Sequence, residues 1–363
     1  MKMVVFGLTI SSSWGNGHAT LWRGLARALI RRGWDFTFFE RDVEYYAGNR
    51  DLWEIPGGRL VLYSDWDDIR SRAEREARDA DAAVVTSYCP DALAATDLLA
   101  GAAGGVKAFY DLDTPVSLAR LGRGESPGYI GPRGLADFDV VLSYTGGQAL
   151  DALRTRLGAR HTAPLYGHVD PDVHCPAPPR SEFAGDMSYL GTYAEDRQAA
   201  LVRFLVEPAR RQPGLRFVIG GAQYPKDFPW TENIYFVRHL PPEAHPAFYA
   251  SSRLTLNITR ADMAALGWCP SGRLFEAAAC GTAIVSDRFA GLEAFFTPGE
   301  EILLLERTED TLAALDLSDV ELGRLGEAAR ARVLADHTSE RRAEELEAIL
   351  AGVPAGAAER VGA

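Results

Sequence analysis

Short apolar runs rich in β-branched and aromatic residues alternate along this chain with stretches whose apolar residues recur every three or four positions. The runs predict strands at 3–9, 35–39, 59–63, 82–86, 107–111 and 139–143. Between them, stretches such as 19–32 set Leu21, Leu25, Leu29 and Ile30 on one face of a helix. Strand and helix in alternation imply parallel sheets covered on both faces, the α/β class. At 175–184 the run CPAPPRSEFA carries three prolines and few apolar residues, which resists helix and central strand alike and predicts a hinge after a domain spanning 1–174. The pattern then restarts at 187–192, 216–221, 233–237, 254–259, 282–286 and 301–305, predicting a second doubly wound domain over 185–335. The stretch 319–350 reads as one or two amphipathic helices, and 351–363 as a flexible tail.

Composition agrees with two independent cores. The 363 residues are 47% hydrophobic and 24% charged, an ordinary globular balance that needs no disulfide or structural metal. A net charge of −12 argues against a protein that gains affinity by neutralising a polyanion, so no nucleic-acid partner is expected, while a local basic pocket for a small anion is still allowed. Cys89, Cys175, Cys269 and Cys280 have neither zinc-site nor disulfide spacing, which fits a reducing, cytoplasmic setting. No apolar run reaches the ~20 residues of a spanning helix, so any membrane contact is expected to be peripheral, and MKMVVFGLTI reads as a first strand.

Three stretches carry candidate chemistry. In SSSWGNGHAT, between the first strand and first helix, Gly15 and Gly17 let backbone amides approach an anion or a sugar hydroxyl, and His18 is a candidate general base. The same loop can be a plain turn. It can also be read as a dinucleotide fingerprint, with Glu40 as the ribose acid, although Thr20 stands at the third glycine position and the turn is too long. Asp42, beside Glu40 in FFERD, is as easily a solvated loop carboxylate. In FYDLDTPV, Asp111 and Asp113 lie just past a strand, where they can bind an acceptor, orient His18, hold a metal or simply cap a turn; acceptor binding or orientation of His18 is preferred. In PSGRLFEAAACGTAIVSD, Ser271 is a helix N-cap followed by Gly272, and Gly281 ends the helix. That N-terminus together with Arg273 favours a diphosphate, and Glu276 can accept both hydroxyls of a ribose. An ordinary amphipathic helix would look much the same.

The run from Ser271 to Leu305 resembles the nucleotide-sugar-binding segment of GT-B glycosyltransferases, in particular the spore-maturation-protein-like group. GNGHATLWRGLARAL, YDLDTPV, YGHVDPDVHCP, YLGTYAEDR and HPAFYASSRLTLNITR extend the resemblance over nearly the whole chain. It implies two Rossmann-like domains facing each other across a cleft, with the acceptor on the first and the donor on the second, and a last helix at 336–350 that crosses back to the first. It also implies that Glu276 takes the donor ribose, Arg273 and Arg260 the diphosphate, that Gly191 and Thr192 lie beside the phosphates, and that His239 and Leu240 line the base. Many retaining members carry a second glutamate eight residues before the one matched by Glu276; here that residue is Trp268, which leaves the anomeric outcome undecided.

The expectation is therefore a metal-independent glycosyltransferase that uses a nucleotide diphosphate sugar as co-substrate, with UDP favoured and GDP, ADP or dTDP open. No cofactor and no metal are expected. If the reaction inverts, His18 is the base and Asp113 its partner; if it retains, the leaving phosphate can take the acceptor's proton. A nucleotide-sugar epimerase of the same fold, a non-catalytic nucleotide-sugar-binding protein and, more distantly, a dehydrogenase are the alternatives. The acceptor is unidentified. Trp14, Trp22, Tyr45 and Tyr46 are candidates to stack on it, unless they are core.

Overall fold

The first strand, β1 (Lys2–Gly7), is buried at every position but its first, because helices cover both faces of its sheet. The same continuous apolar character recurs in β2 (Asp35–Arg41), β3 (Arg59–Tyr63), β4 (Ala82–Thr86), β5 (Val106–Asp111) and β6 (Val140–Ser143), and β7 (Thr162–Pro164) closes the edge. These form an all-parallel sheet in the order β3-β2-β1-β4-β5-β6-β7. The structure, a computed structural model, describes residues 1–102 and 104–353, so most of the expected tail lies outside the described residues.

A second all-parallel sheet repeats the design in the order β10-β9-β8-β11-β12-β13. Its strands are β8 (Gly185–Leu190), β9 (Phe217–Gly221), β10 (Ile234–Arg238), β11 (Ser252–Asn257), β12 (Ala283–Asp287) and β13 (Leu303–Leu305). In each sheet the strand order reverses once, between β1 and β4 and between β8 and β11. Such reversals open a crevice beyond the carboxyl ends of the strands, where doubly wound sheets bind ligands.

The chain divides into one unit of 1–166 with 339–363 and another of 167–338. Two boundaries thus differ from those expected. The proline-rich 175–184 is no hinge but part of the second unit: Arg180 N donates to Ser251 Oγ at 2.8 Å, and the Phe183 ring packs edge-on against Phe248. Prolines remove helix and strand options without removing side-chain packing, so irregular backbone here is anchored backbone. Val169, inside the stretch assigned to the first domain, instead bridges Thr338 of the second unit.

The stretch 319–350 is two helices, Asp319–Asp336 in the second unit and Ser339–Gly352 in the first. Ala343, Leu346 and Leu350 of the latter join the same core as Leu25 and Leu29 of helix Gly17–Arg31. Glu347 accepts from Trp34 Nε1 at 2.8 Å and Arg32 Nη2 at 2.6 Å, and buried Arg342 donates to the Tyr166 carbonyl at 3.1 Å. Among the described residues no helix is long and apolar enough to cross a membrane.

Candidate active site

In the second unit the crevice between β8 and β11 is occupied by one guanidinium. Arg273, in the first turn of helix Gly272–Ala279, donates from Nε to the carbonyl of Leu190 at the end of β8 and from Nη1 to Asn257 Oδ1 at the end of β11, 2.8 Å away. Its charge also stands 5.0 Å over the Tyr189 ring. Three contacts fix a permanent cation where the strand order reverses, and the remaining Nη2 faces Gly191: a Cβ there would lie 2.8 Å from it. Ser271 occupies the N-cap position, yet its side chain makes no cap hydrogen bond. An uncapped helix start beside an arginine is an anion-binding arrangement.

One turn further along that helix Glu276 turns Oε2 toward two histidines, 3.6 Å from His245 Nδ1 and 4.0 Å from His174 Nε2. Burial opposes its ionisation, but His174, His245 and Arg273 outweigh burial and hold the carboxyl down at about 2. Burial acts on His174 in the same sense, against charge, and lowers it below the ordinary histidine value. Burial thus disfavours the charged ring of His174, and Arg273 adds a permanent charge to those that favour the ionised Glu276. His245 Nε2 lies 3.2 Å from the carbonyl of Leu240, an atom that can only accept, so that nitrogen carries the proton.

Gly191 N donates to Gly220 O at 2.8 Å and Gly191 O accepts from the Tyr224 phenol at 3.1 Å, which fixes the turn that continues into Thr192. His239 N donates to Gly221 O at 2.7 Å with a left-handed φ of 48°, and Leu240 reaches Glu276 through His245. Arg260 occupies the N-cap position of helix Ala261–Leu266 without capping it, and its guanidinium pairs with Asp196 at 3.4 Å, so its charge is partly spent within the protein. The structure therefore brings Gly191, Arg273, Leu240 and Glu276 into linked contacts. His174 and His245 were missed in the sequence: they are 71 residues apart and only the fold makes them neighbours.

In the first unit His18 falls in the first turn of helix Gly17–Arg31, where Asn16 Oδ1 accepts from its backbone N at 3.1 Å. His18 Nε2 is 3.5 Å from Asp113 Oδ2, and both side chains stay partly exposed. Asp113 stands at the N-cap position of helix Thr114–Gly122 without capping it by its side chain. The Tyr88 ring lies 5.8 Å from that of His18, and burial followed by the charge of Asp113 raises its phenol, which stays protonated. Asp111 does not share the exposure of Asp113. It is fully buried, accepts from Asp113 N and Ser117 Oγ at 3.1 Å each, and burial raises its carboxyl to about 6 against those bonds.

Glu40 is excluded as a ribose acid. Pairing of Gly7 with Glu40 across β1 and β2 brings it under the glycine loop, where it accepts from Thr9 Oγ1 and Ile10 N at 2.8 Å, Ser11 N at 3.0 Å and Ser11 Oγ at 2.5 Å. All of its acceptor capacity is spent on the loop and it is 1% exposed. Gly15 sits at the tip with φ of 60°, and Gly17 opens the helix with nothing near its missing Cβ. Trp22 is core, Tyr45 is half exposed, and Trp14 and Tyr46 are partly buried.

Among the described residues, four that are not glycine adopt positive φ: Tyr88, Gln223, His239 and Trp268. The first three lie within two residues of the carboxyl ends of β4, β9 and β10, the ligand-binding ends of the sheets. Trp268 lies three residues before Ser271, with its ring against Gly291 and partly exposed.

Two doubly wound sheets of this order, each with one strand reversal, define the GT-B fold. The family described as glycosyl transferase-like matches residues 197–348, from the second unit into the last helix. Solved structures match over nearly the full chain. The sucrose-phosphate synthase of Thermosynechococcus elongatus is 15% identical with a TM-score of 0.66, covering 96% of this chain and 98% of its own. Anabaena HepE in complex with UDP-glucose is 11% identical with a TM-score of 0.68, covering 97% and 100%. An alpha-glucosyltransferase in complex with UDP-glucose and DNA is 12% identical with a TM-score of 0.71, covering 97% and 99%. No curated protein matches in sequence.

Proposed function

We propose that the chain transfers a glycosyl group from a UDP-sugar held by the second unit to an acceptor hydroxyl presented to the first, with no metal in the reaction. The observation that carries this reading is the Arg273 guanidinium fixed between Leu190 and Asn257, one helical turn from an ionised Glu276. Arginine and the helix N-terminus offset the charge that develops on the leaving diphosphate, and a permanent cation there does the work otherwise done by a divalent ion. Glu276 takes the ribose hydroxyls, and Leu240 and His239 edge the base. The acceptor oxygen bonds to the anomeric carbon as the bond from that carbon to the diphosphate breaks, and the acceptor's proton passes to the His18–Asp113 pair. The net charge of −12 argues against a nucleic acid as that acceptor.

A thermal-shift panel of nucleotide sugars in excess chelator tests it. A ligand at about 100 times its dissociation constant stabilises by ~2.7 kcal/mol, and the UDP-sugars should stand out. Turnover that requires added magnesium or manganese would remove the metal-free mechanism. Conversion of the donor to an isomer without loss of the sugar would identify an epimerase instead, and tight binding with neither transfer nor hydrolysis a binding protein.

A further inference from the structure

We propose that His174, His245 and Glu276 form a transition-metal site, and that a bound zinc ion antagonises nucleotide binding at the same carboxylate. His174 Nε2, His245 Nδ1 and Glu276 Oε2 converge at mutual distances of 3.5, 3.6 and 4.0 Å. These contacts are too long for strong hydrogen bonds. They are the right size for three atoms that share an ion: a point about 2.1 Å from all three lies within their triangle, which is the Zn–N and Zn–O bond length. Contraction of the edges by a few tenths of an ångström would make the triangle one face of a tetrahedron, leaving the fourth position to water or a ligand.

The placement of His245 points the same way. Its Nε2 lies 3.2 Å from the Leu240 carbonyl, which leaves Nδ1 as the ring nitrogen that faces Glu276 Oε2, 3.6 Å away. The bond to Leu240 is also the outer-shell contact that orients metal-ligating histidines, whose second nitrogen habitually donates to a carbonyl or carboxylate. His174 is buried and the other two ligands are partly buried, which limits competition from water. Two neutral imidazoles and a carboxylate suit zinc or cobalt and disfavour magnesium or calcium. Antagonism follows because the metal draws on the charge of Glu276 that the ribose hydroxyls would use; this part rests on the ribose assignment of Glu276.

Chelator-treated, desalted full-length protein is titrated with Co2+ and followed by the visible absorption of the tetrahedral ion. One equivalent should bind, Zn2+ should displace it, and His174→Gln and His245→Gln should each weaken Co2+ at least a hundredfold, with circular dichroism confirming folding. Because His174 is buried, the His245→Gln protein alone suffices if the other fails to fold. UDP titrated calorimetrically at free Zn2+ set by a metal buffer should bind at least tenfold more weakly than without metal, and the His245→Gln protein should lose that zinc dependence. Absence of tetrahedral Co2+ bands, or bands unchanged in a folded His245→Gln protein, overturns the site. Bands with a UDP affinity indifferent to zinc overturn the antagonism. Failure of the ribose assignment is read separately, as equal affinity of metal-free wild type and Glu276→Gln for UDP.

Discussion

Replacing Glu40 with alanine separates the clamp role of this carboxylate from the ribose role that its position after β2 suggests. The change removes the acceptor of four hydrogen bonds and strands two backbone amides and two hydroxyls in a buried site. Charged hydrogen bonds contribute about 1.5–3 kcal/mol each, but the four share one group, the hydroxyls can turn elsewhere and water can enter, so the contributions do not add. The loss expected for removing one buried charged partner, about 3–5 kcal/mol, is the better guide. In a unit of this size each kilocalorie shifts the melting point by roughly 2–4 °C, which makes the transition of the first unit fall by about 10 °C. Differential scanning calorimetry reads this directly. UDP affinity of the folded variant should stay within twofold of wild type, because the nucleotide is assigned to the other unit. A Glu40→Ala protein that melts within about 1 kcal/mol of wild type while losing nucleotide would refute the clamp and restore the fingerprint reading.

Three further outcomes are expected. His18→Ala should lower turnover by about 10²–10⁴-fold with little change in UDP affinity; unchanged turnover on the true acceptor would reduce His18 to a structural residue. Asp111, raised to about 6 by burial, favours the fold in its protonated form, so its contribution is complete below about pH 4 and is lost as pH rises to about 6. Asp111→Asn cannot ionise, and should gain up to about 3 kcal/mol on wild type above pH 6, with the gap closing toward pH 4; a pH-independent difference would contradict this. Gly191→Ala places a methyl 2.8 Å from Arg273 Nη2 and 2.9 Å from the buried Tyr189 phenol, so one of them must shift: the melting point should fall, and UDP should weaken about tenfold in the folded variant. Retention of UDP affinity within twofold would mean that Arg273 does not hold the diphosphate.

Most strands were legible because a strand buried on both faces must be a continuous apolar run, and 59–63 and 82–86 agree to the residue. β7 was not, since three residues ending in Pro164 carry no such run. The unit boundary was misplaced because proline content reports the absence of regular hydrogen bonding and says nothing of packing by neighbours such as Phe248. The candidate site was legible in its contiguous part, where Ser271, Arg273 and Glu276 fall at the start of one helix, Gly272–Ala279, as the sequence led one to expect. It was illegible where it needs distant partners. Nothing near Glu276 in sequence announces His174 or His245, and nothing in the glycine loop announces that Glu40 is consumed by Ser11.

The central claim is that Glu276 and Arg273 hold the nucleotide of the donor, and calorimetric titration of UDP into metal-free wild type and Glu276→Ala tests it most directly. A carboxylate that accepts two ribose hydroxyls contributes roughly 1.5–3 kcal/mol per charged hydrogen bond, so the variant, shown to be folded by circular dichroism, should bind UDP more than tenfold more weakly. Wild-type affinity in a folded Glu276→Ala protein would contradict the assignment and put the donor site elsewhere.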